Sequence, residues 1–145
     1  MIVRTILQSK ATSEVSTTSA GQTVGAAAAL LTQLRIGALV VVDDDQQLAG
    51  ILSERDIVRG LAKFGGIVQG MTVGELMTRD VVTCSSGDSL ESLMSVMTSN
   101  RIRHLPVLEG GKLAGIITIG DVVKSRLEET TLQVDSLREY VMSAH

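Results

Sequence analysis

The chain's 145 residues give room for one compact domain or two very small ones. Its 44% hydrophobic and 20% charged residues describe a folded, soluble protein, and with aromatics at 1% the core has to be built from Val, Ile, Leu, Ala and Met. A net charge of −3, no Lys/Arg block and only Phe64 and Tyr140 as rings exclude the usual nucleic-acid binder, which needs a basic patch and platforms for bases.

Residues 1–10 lack the apolar core of a signal peptide. The longest apolar runs, such as Ala38–Val42, fall far short of the roughly 20 residues of a membrane span. The expectation is a cytoplasmic protein. The single cysteine, Cys84, forms no internal disulfide and no zinc motif, and reads as a small buried or strand residue in a reducing compartment.

In chain order, a short apolar segment at 3–7 is followed by Val15. Val24, Ala27, Ala28 and Leu31 then mark one face of a helix. A strand over 38–42, the acidic turn Asp43-Asp44-Asp45 and a strand over 48–52 predict a hairpin. The phrase Gly50-Ile51-Leu52-Ser53-Glu54-Arg55-Asp56 opens the next helix. A linker follows, with breakers at Gly65-Gly66 and Gly70. Thr72-Val73-Gly74-Glu75 is a capping box for a short helix ending near Met77, which leads into Val81-Val82-Thr83. Asp88 and Glu91 read as a capping pair before a helix carrying Leu90, Leu93, Met94 and Met97. Strands at 105–108 and 113–117 flank Glu109-Gly110-Gly111, and Gly115-Ile116-Ile117-Thr118-Ile119-Gly120-Asp121 starts the last helix. Val123, Leu127, Thr130, Val134, Leu137 and Val141 continue it as a heptad seam with one polar defect. That seam either packs on its own domain or forms a dimer contact.

The chain is thus one unit written twice. Val24 aligns with Leu90 and Ile36 with Ile102 at an offset of 66, which becomes 65 after the shorter second hairpin turn, where Gly50 meets Gly115. A one-residue slip confined to a polar loop is what homologous repeats show. A hairpin with its helices is too small to stand alone, so the units must share a core about a pseudo-twofold axis. The division expected is 1–63, a linker over 64–74, 75–125 and a helical tail over 126–145, all one compact module.

Ser53-x-x-Asp56 and Thr118-x-x-Asp121 are plausible helix caps. Each also follows a strand and heads a helix, where free N–H groups and the helix dipole favour an anion. A carboxylate one turn in suits a pair of sugar hydroxyls. The two readings, cap and ribose-phosphate site, are compatible.

The two phrases, together with Ile36-Gly37-Ala38-Leu39-Val40-Val41, Ile102-Arg103-His104-Leu105-Pro106-Val107 and the linker Leu76-Met77-Thr78-Arg79-Asp80-Val81-Val82-Thr83, resemble the tandem cystathionine-β-synthase (CBS) domain family over residues 3–124. The resemblance implies an α/β (α+β) fold: two pseudo-symmetric β-α-β-β-α units packed through their sheets, with a C-terminal helical extension and two clefts. It implies adenosine-containing ligands: AMP, ADP or ATP, with NAD(H) and S-adenosylmethionine as further candidates. Carried over, Ser53 and Thr118 would meet phosphate, and Asp56 and Asp121 the ribose. Backbone at Gly37–Ala38 and His104–Leu105 would frame adenine, with Thr17 and Thr83 as lesser candidates for the purine edge. Arg101, Arg103 and His104 stand where the first unit has Arg35, Gly37 and Ala38. They read as charge for a phosphate tail or as a solvated basic turn. Arg55, matched by Gly120, either adds phosphate affinity or pairs with an acid.

The resulting expectation is a non-catalytic regulatory module. It senses an adenine nucleotide, forms a homodimer and acts on an unidentified effector protein, with no nucleic acid or membrane as partner. A structural or adaptor dimer with little ligand binding is the alternative. No nucleophile–base set or metal cluster is evident in the sequence.

Overall fold

The computed structural model describes residues 1–10 and 14–144; His145, the second histidine, lies outside them. Its elements are α1 (Val3–Ser9), β1 (Thr17–Thr18), α2 (Val24–Leu34), β2 (Ala38–Val42), β3 (Leu48–Ser53), α3 (Glu54–Phe64), a 3-10 segment (Gly65–Gly70), α4 (Val73–Leu76), β4 (Cys84–Ser85), α5 (Leu90–Asn100), β5 (His104–Glu109), β6 (Lys112–Thr118) and α6 (Ile119–Ser143). They build two three-stranded sheets, β1-β2-β3 and β4-β5-β6. In each, a very short first strand runs parallel to the middle strand, and the hairpin is antiparallel. This is the mixed α/β, duplicated architecture that the sequence predicts.

The duplication extends to fine detail. Both hairpins shift register at matching places, between Val41 and Val42 and between Val107 and Leu108. Both α2 and α5 end on an arginine in the left-handed region, Arg35 at φ 56° and Arg101 at φ 53°. A non-glycine there carries strain of about 1–2 kcal/mol. Each is held by its N–H donating back into the last turn, to Leu31 and Thr32 or to Met97 and Thr98.

Local chemistry explains two departures from expectation. Thr17 opens β1, but Thr83 precedes β4 instead of starting it. In the first sheet Val40 N–H donates to Ser16 O at 3.1 Å. The repeat puts Pro106 at Val40's place, and proline has no N–H to give. The cap of α5 is Ser89, whose Oγ accepts from Ser92 N–H at 3.1 Å, rather than Asp88. Asp88 lies one residue outside and closes a turn, its Oδ2 accepting from Ser85 N–H at 2.8 Å. Gly60 is inside α3, where a side chain would run into Leu76.

The cores reveal an exchange. One cluster joins Leu90, Leu93 and Met97 of α5 to Leu105, Val107 and Ile117 of the second sheet, and is completed by Val3 and Ile6 of α1. The other joins Ala27, Leu31, Leu39, Val41 and Leu52 of the first unit to Val73 and to Met77, just after α4. Each unit's opening helix therefore packs on the other unit. Backbone bonds fix the exchange, with Val3 N–H donating to Asp88 O and Val73 N–H to Gln22 O. Leu39 and Val41 face this helical side. By strand alternation Val40 points to the opposite face, and it too is fully buried. Cys84 is buried in β4, and burial followed by the charge of Asp88 pushes its thiol up to about 11, leaving it an unreactive packing residue.

Helix α6 is 25 residues long. Its base packs through Val122 and Ser125, but every described residue from Thr130 onward is exposed. Of the two readings of the seam, packing on the chain's own domain is ruled out beyond that point.

Candidate functional site

Both repeated phrases fold as capping boxes. At the first, Asp56 N–H donates to Ser53 Oγ at 3.3 Å while Asp56 Oδ2 accepts from Ser53 N–H at 2.9 Å and from Ser53 Oγ at 3.1 Å. At the second, Asp121 N–H donates to Thr118 Oγ1 at 3.2 Å and Asp121 Oδ2 accepts from Thr118 N–H at 2.9 Å. The capping reading of the sequence is therefore right. It leaves capacity for a ligand, because a carboxylate offers about four acceptor positions. Asp56 fills two at Oδ2 with Ser53, and at Oδ1 one, with Thr78 Oγ1 at 3.1 Å. A fourth is open, and rotation of the Ser53 hydroxyl frees another.

A cavity of about 440 Å³ opens over the first junction. Its floor is the start of α3, where Glu54 N–H is taken by Gly37 O at 3.0 Å. The Arg55 N–H has no acceptor among the described residues. One wall is the linker, pinned to β3 by reciprocal backbone bonds between Ile51 and Thr78 at 3.0 and 2.9 Å. The other comes from the second unit, whose turn 101–104 contributes Arg101, Arg103 and His104. The units touch here: Arg55 Nη1 donates to Arg101 O at 2.9 Å. A side chain on Gly37 would meet the His104 ring at 3.1 Å, so glycine is what lets the ring lie there.

The cleft's charge is mixed but weighted to cations. Arg55, Arg59, Arg101 and Arg103 line it, against Glu54, Asp56 and Asp80. His104 is held below its ordinary value of 6.5, chiefly by burial; Glu54 opposes that and Arg103 adds to it. The imidazole is thus neutral near pH 7. Apolar surface comes from Ile51, Val81, Val82 and Ile102.

The cleft thus brings together Ser53, Arg55, Asp56, Gly37, Arg101, Arg103, His104 and Thr118. It does not gather Ala38 and Leu105, whose side chains are buried in the fold, or Thr17 and Thr83. Asp121 lies apart, on a smaller cavity of about 220 Å³. Its Oδ2 meets Lys10 Nζ at 2.8 Å. Burial alone would raise the Asp121 carboxyl; the bonds from Lys10 and Thr118 outweigh it and hold the group below its ordinary range. Sequence reasoning missed Thr78, Asp80 and Arg59 as lining residues. The signal for Thr78 and Asp80 was their place in the linker phrase, but nothing in their spacing says that the linker returns to β3.

Among the described residues no group of His, Cys, Asp or Glu is arranged to hold a metal ion, and no helix is long and apolar enough to cross a membrane.

Comparison with known proteins agrees with this architecture. The family model "CBS domain" matches residues 3–63 and 73–128. The "CBS domain-containing protein CBSX3, mitochondrial" of Arabidopsis thaliana is 35% identical over 119 residues, which cover 79% of this chain and only 58% of that protein. The crystal structure of the CBS-domain containing protein ATU1752 from Agrobacterium tumefaciens is 42% identical at a TM-score of 0.84, covering 87% of this chain and 99% of that one. The CBS domain pair of protein MJ0100, solved in complex with 5′-methylthioadenosine and S-adenosyl-L-methionine, is 27% identical at a TM-score of 0.76, covering 90% and 98%. With two matched segments, one per repeat, this chain belongs to the CBS-domain family as a tandem pair.

Proposed function

We propose that the chain is a regulatory module that binds a phosphorylated adenosine, of the AMP, ADP or ATP class, in the cleft over Ser53 and Asp56. The observation that carries this reading is the junction of one carboxylate with spare acceptor capacity and four arginines in a single open cavity. Asp56 takes ribose hydroxyls, while Ser53, Thr118 and the Arg55 N–H take phosphate. Arg55, Arg101 and Arg103 compensate the phosphate charge, and the purine lies on Ile51, Val81 and Val82 near the Gly37 backbone. A cationic ligand such as S-adenosylmethionine fits this charge less well, although the related MJ0100 pair was solved with it. NAD(H) carries phosphate and stays in the panel below.

Two units contribute to one cleft, so a ligand that bridges them favours one relative arrangement; output requires that it bind two arrangements unequally. That change would be read by a partner protein. We also infer a homodimer through the α6 seam, where Val123, Leu127, Val134, Leu137 and Val141 are all exposed. The acidic chain with its lone buried thiol suits a cytoplasmic setting.

A thermal-shift panel of AMP, ADP, ATP, NADH, S-adenosylmethionine and unphosphorylated adenosine tests the reading. A ligand at about 100 times its dissociation constant stabilises by roughly 2.7 kcal/mol. The phosphorylated ligands should shift ligand-free protein, and Asp56→Ala should abolish the shift. If none of the six shifts it, the adaptor reading takes over.

A further inference from the structure

We propose that Lys10 is a built-in occupant of the second junction, so that the chain takes one nucleotide, at Asp56, and a second only when Lys10 is removed from Asp121. The inference rests on the reading that the aspartate of each phrase is a ribose acceptor.

Lys10 Nζ donates to Asp121 Oδ2 at 2.8 Å and to Ile116 O at 2.8 Å. It bridges the strand half and the helix half of the phrase itself, across the place where sugar hydroxyls would bond. Its side chain and that of Asp121 are only 22% and 21% exposed. The residue is also anchored at its base. It is the C-cap of α1, whose Val3 and Ile6 are locked in the second core, and its N–H donates to Leu7 O.

The first junction is built otherwise. In the repeat register Leu76 holds the place of Lys10, and it packs on Gly60 of α3, where a side chain would lie 2.7 Å from Leu76 Cδ2. Gly60 corresponds to Ser125, buried beside Lys10 and Asp121. The partner of Asp56 Oδ1 is the neutral hydroxyl of Thr78, which yields to another hydroxyl without stranding a charge. Displacing Lys10 would leave a half-buried ammonium short of its carboxylate, a cost the first site does not carry. The two phrases are alike in sequence; the exchanged helix α1 makes them unlike in use.

Isothermal titration of the full chain with AMP tests this, using wild type, Asp56→Ala, Lys10→Met and Lys10→Met combined with Asp56→Ala. Methionine keeps the apolar stem and removes the charge. One equivalent is expected for wild type, at least tenfold weaker binding for Asp56→Ala, two equivalents for Lys10→Met, and one for the combined variant. Lys10→Gln should behave as Lys10→Met, and Lys10→Arg as wild type; circular dichroism checks that each is folded. Two equivalents in wild type overturn the proposal. So does a Lys10→Met or Lys10→Gln protein that still binds one equivalent, lost with Asp56→Ala, while the adenosine-phosphate reading then stands. If no protein of the set binds AMP, that reading fails and the proposal with it.

Discussion

Gly50 and Gly115 hold the same place in the repeat, yet replacing them with alanine should have unequal effects. A Cβ on Gly50 would lie 2.8 Å from the backbone oxygen of Thr78 and 2.8 Å from Met77 Sδ. The oxygen cannot move alone, because Ile51 N–H donates to it and Thr78 N–H donates back to Ile51. Overpacking of this kind costs about 1–3 kcal/mol, and weakening two backbone bonds adds up to about 1 kcal/mol each. At roughly 2–4 °C per kcal/mol for a chain of this size, Gly50→Ala should melt about 10 °C below wild type. A Cβ on Gly115 would meet Leu7 Cδ2 at 2.7 Å, the far end of a rotatable side chain, so about 1 kcal/mol is expected there. Gly87 has nothing within 4 Å and serves as control. Thermal unfolding followed by circular dichroism reads all three. If Gly50→Ala melts within about 2 °C of Gly87→Ala, the linker is not clamped to β3 and the cleft wall described above is wrong.

His104 supplies a pH test. Its folded value is lowered below 6.5, so the unfolded chain takes up the proton first, and this group's contribution to stability is present above 6.5 and lost as pH falls through that value toward the folded one. A proton NMR titration should place its midpoint below 6.5, and AMP should move it upward; a free-protein midpoint at or above 6.5 would refute the burial argument. For the α6 seam, Leu127→Glu with Leu137→Glu should convert a dimer to a monomer in sedimentation with the circular dichroism spectrum of the folded chain kept, since both side chains are 62% exposed on the single chain. A wild-type monomer at micromolar concentration would remove the seam's role.

Much of this molecule is legible in the sequence because periodicity and turn chemistry are local signals. Helices α2 and α5, the two hairpins and the two capped junctions follow from spacing alone. What escaped reading depends on where pieces go. Residues 3–7 and 73–76 look like equivalent openings of their own units, and nothing in their apolar pattern says that they trade places. The pairing of Lys10 with Asp121 follows from that trade and spans 111 positions. Thr78 and Asp80 reach the cleft only because Gly50 allows the linker to cross β3. The late start of β4 was, by contrast, written in the sequence, since Pro106 cannot donate; it takes the partner's register to see it.

The exchange of α1 and α4 has a consequence for how the chain comes into being. The first unit is incomplete until Val73 and Met77 have been synthesised, and α1 has no surface to dock on until Ile117 exists. The earliest helix must wait for the last strand, β6. Neither repeat is a self-sufficient folding unit, and contacts of such long sequence separation slow the search for the native state. Cutting the chain between the repeats would leave each half with the wrong helix. Collapse and completion of the two halves should therefore form one cooperative transition, despite a sequence that reads as two tandem copies.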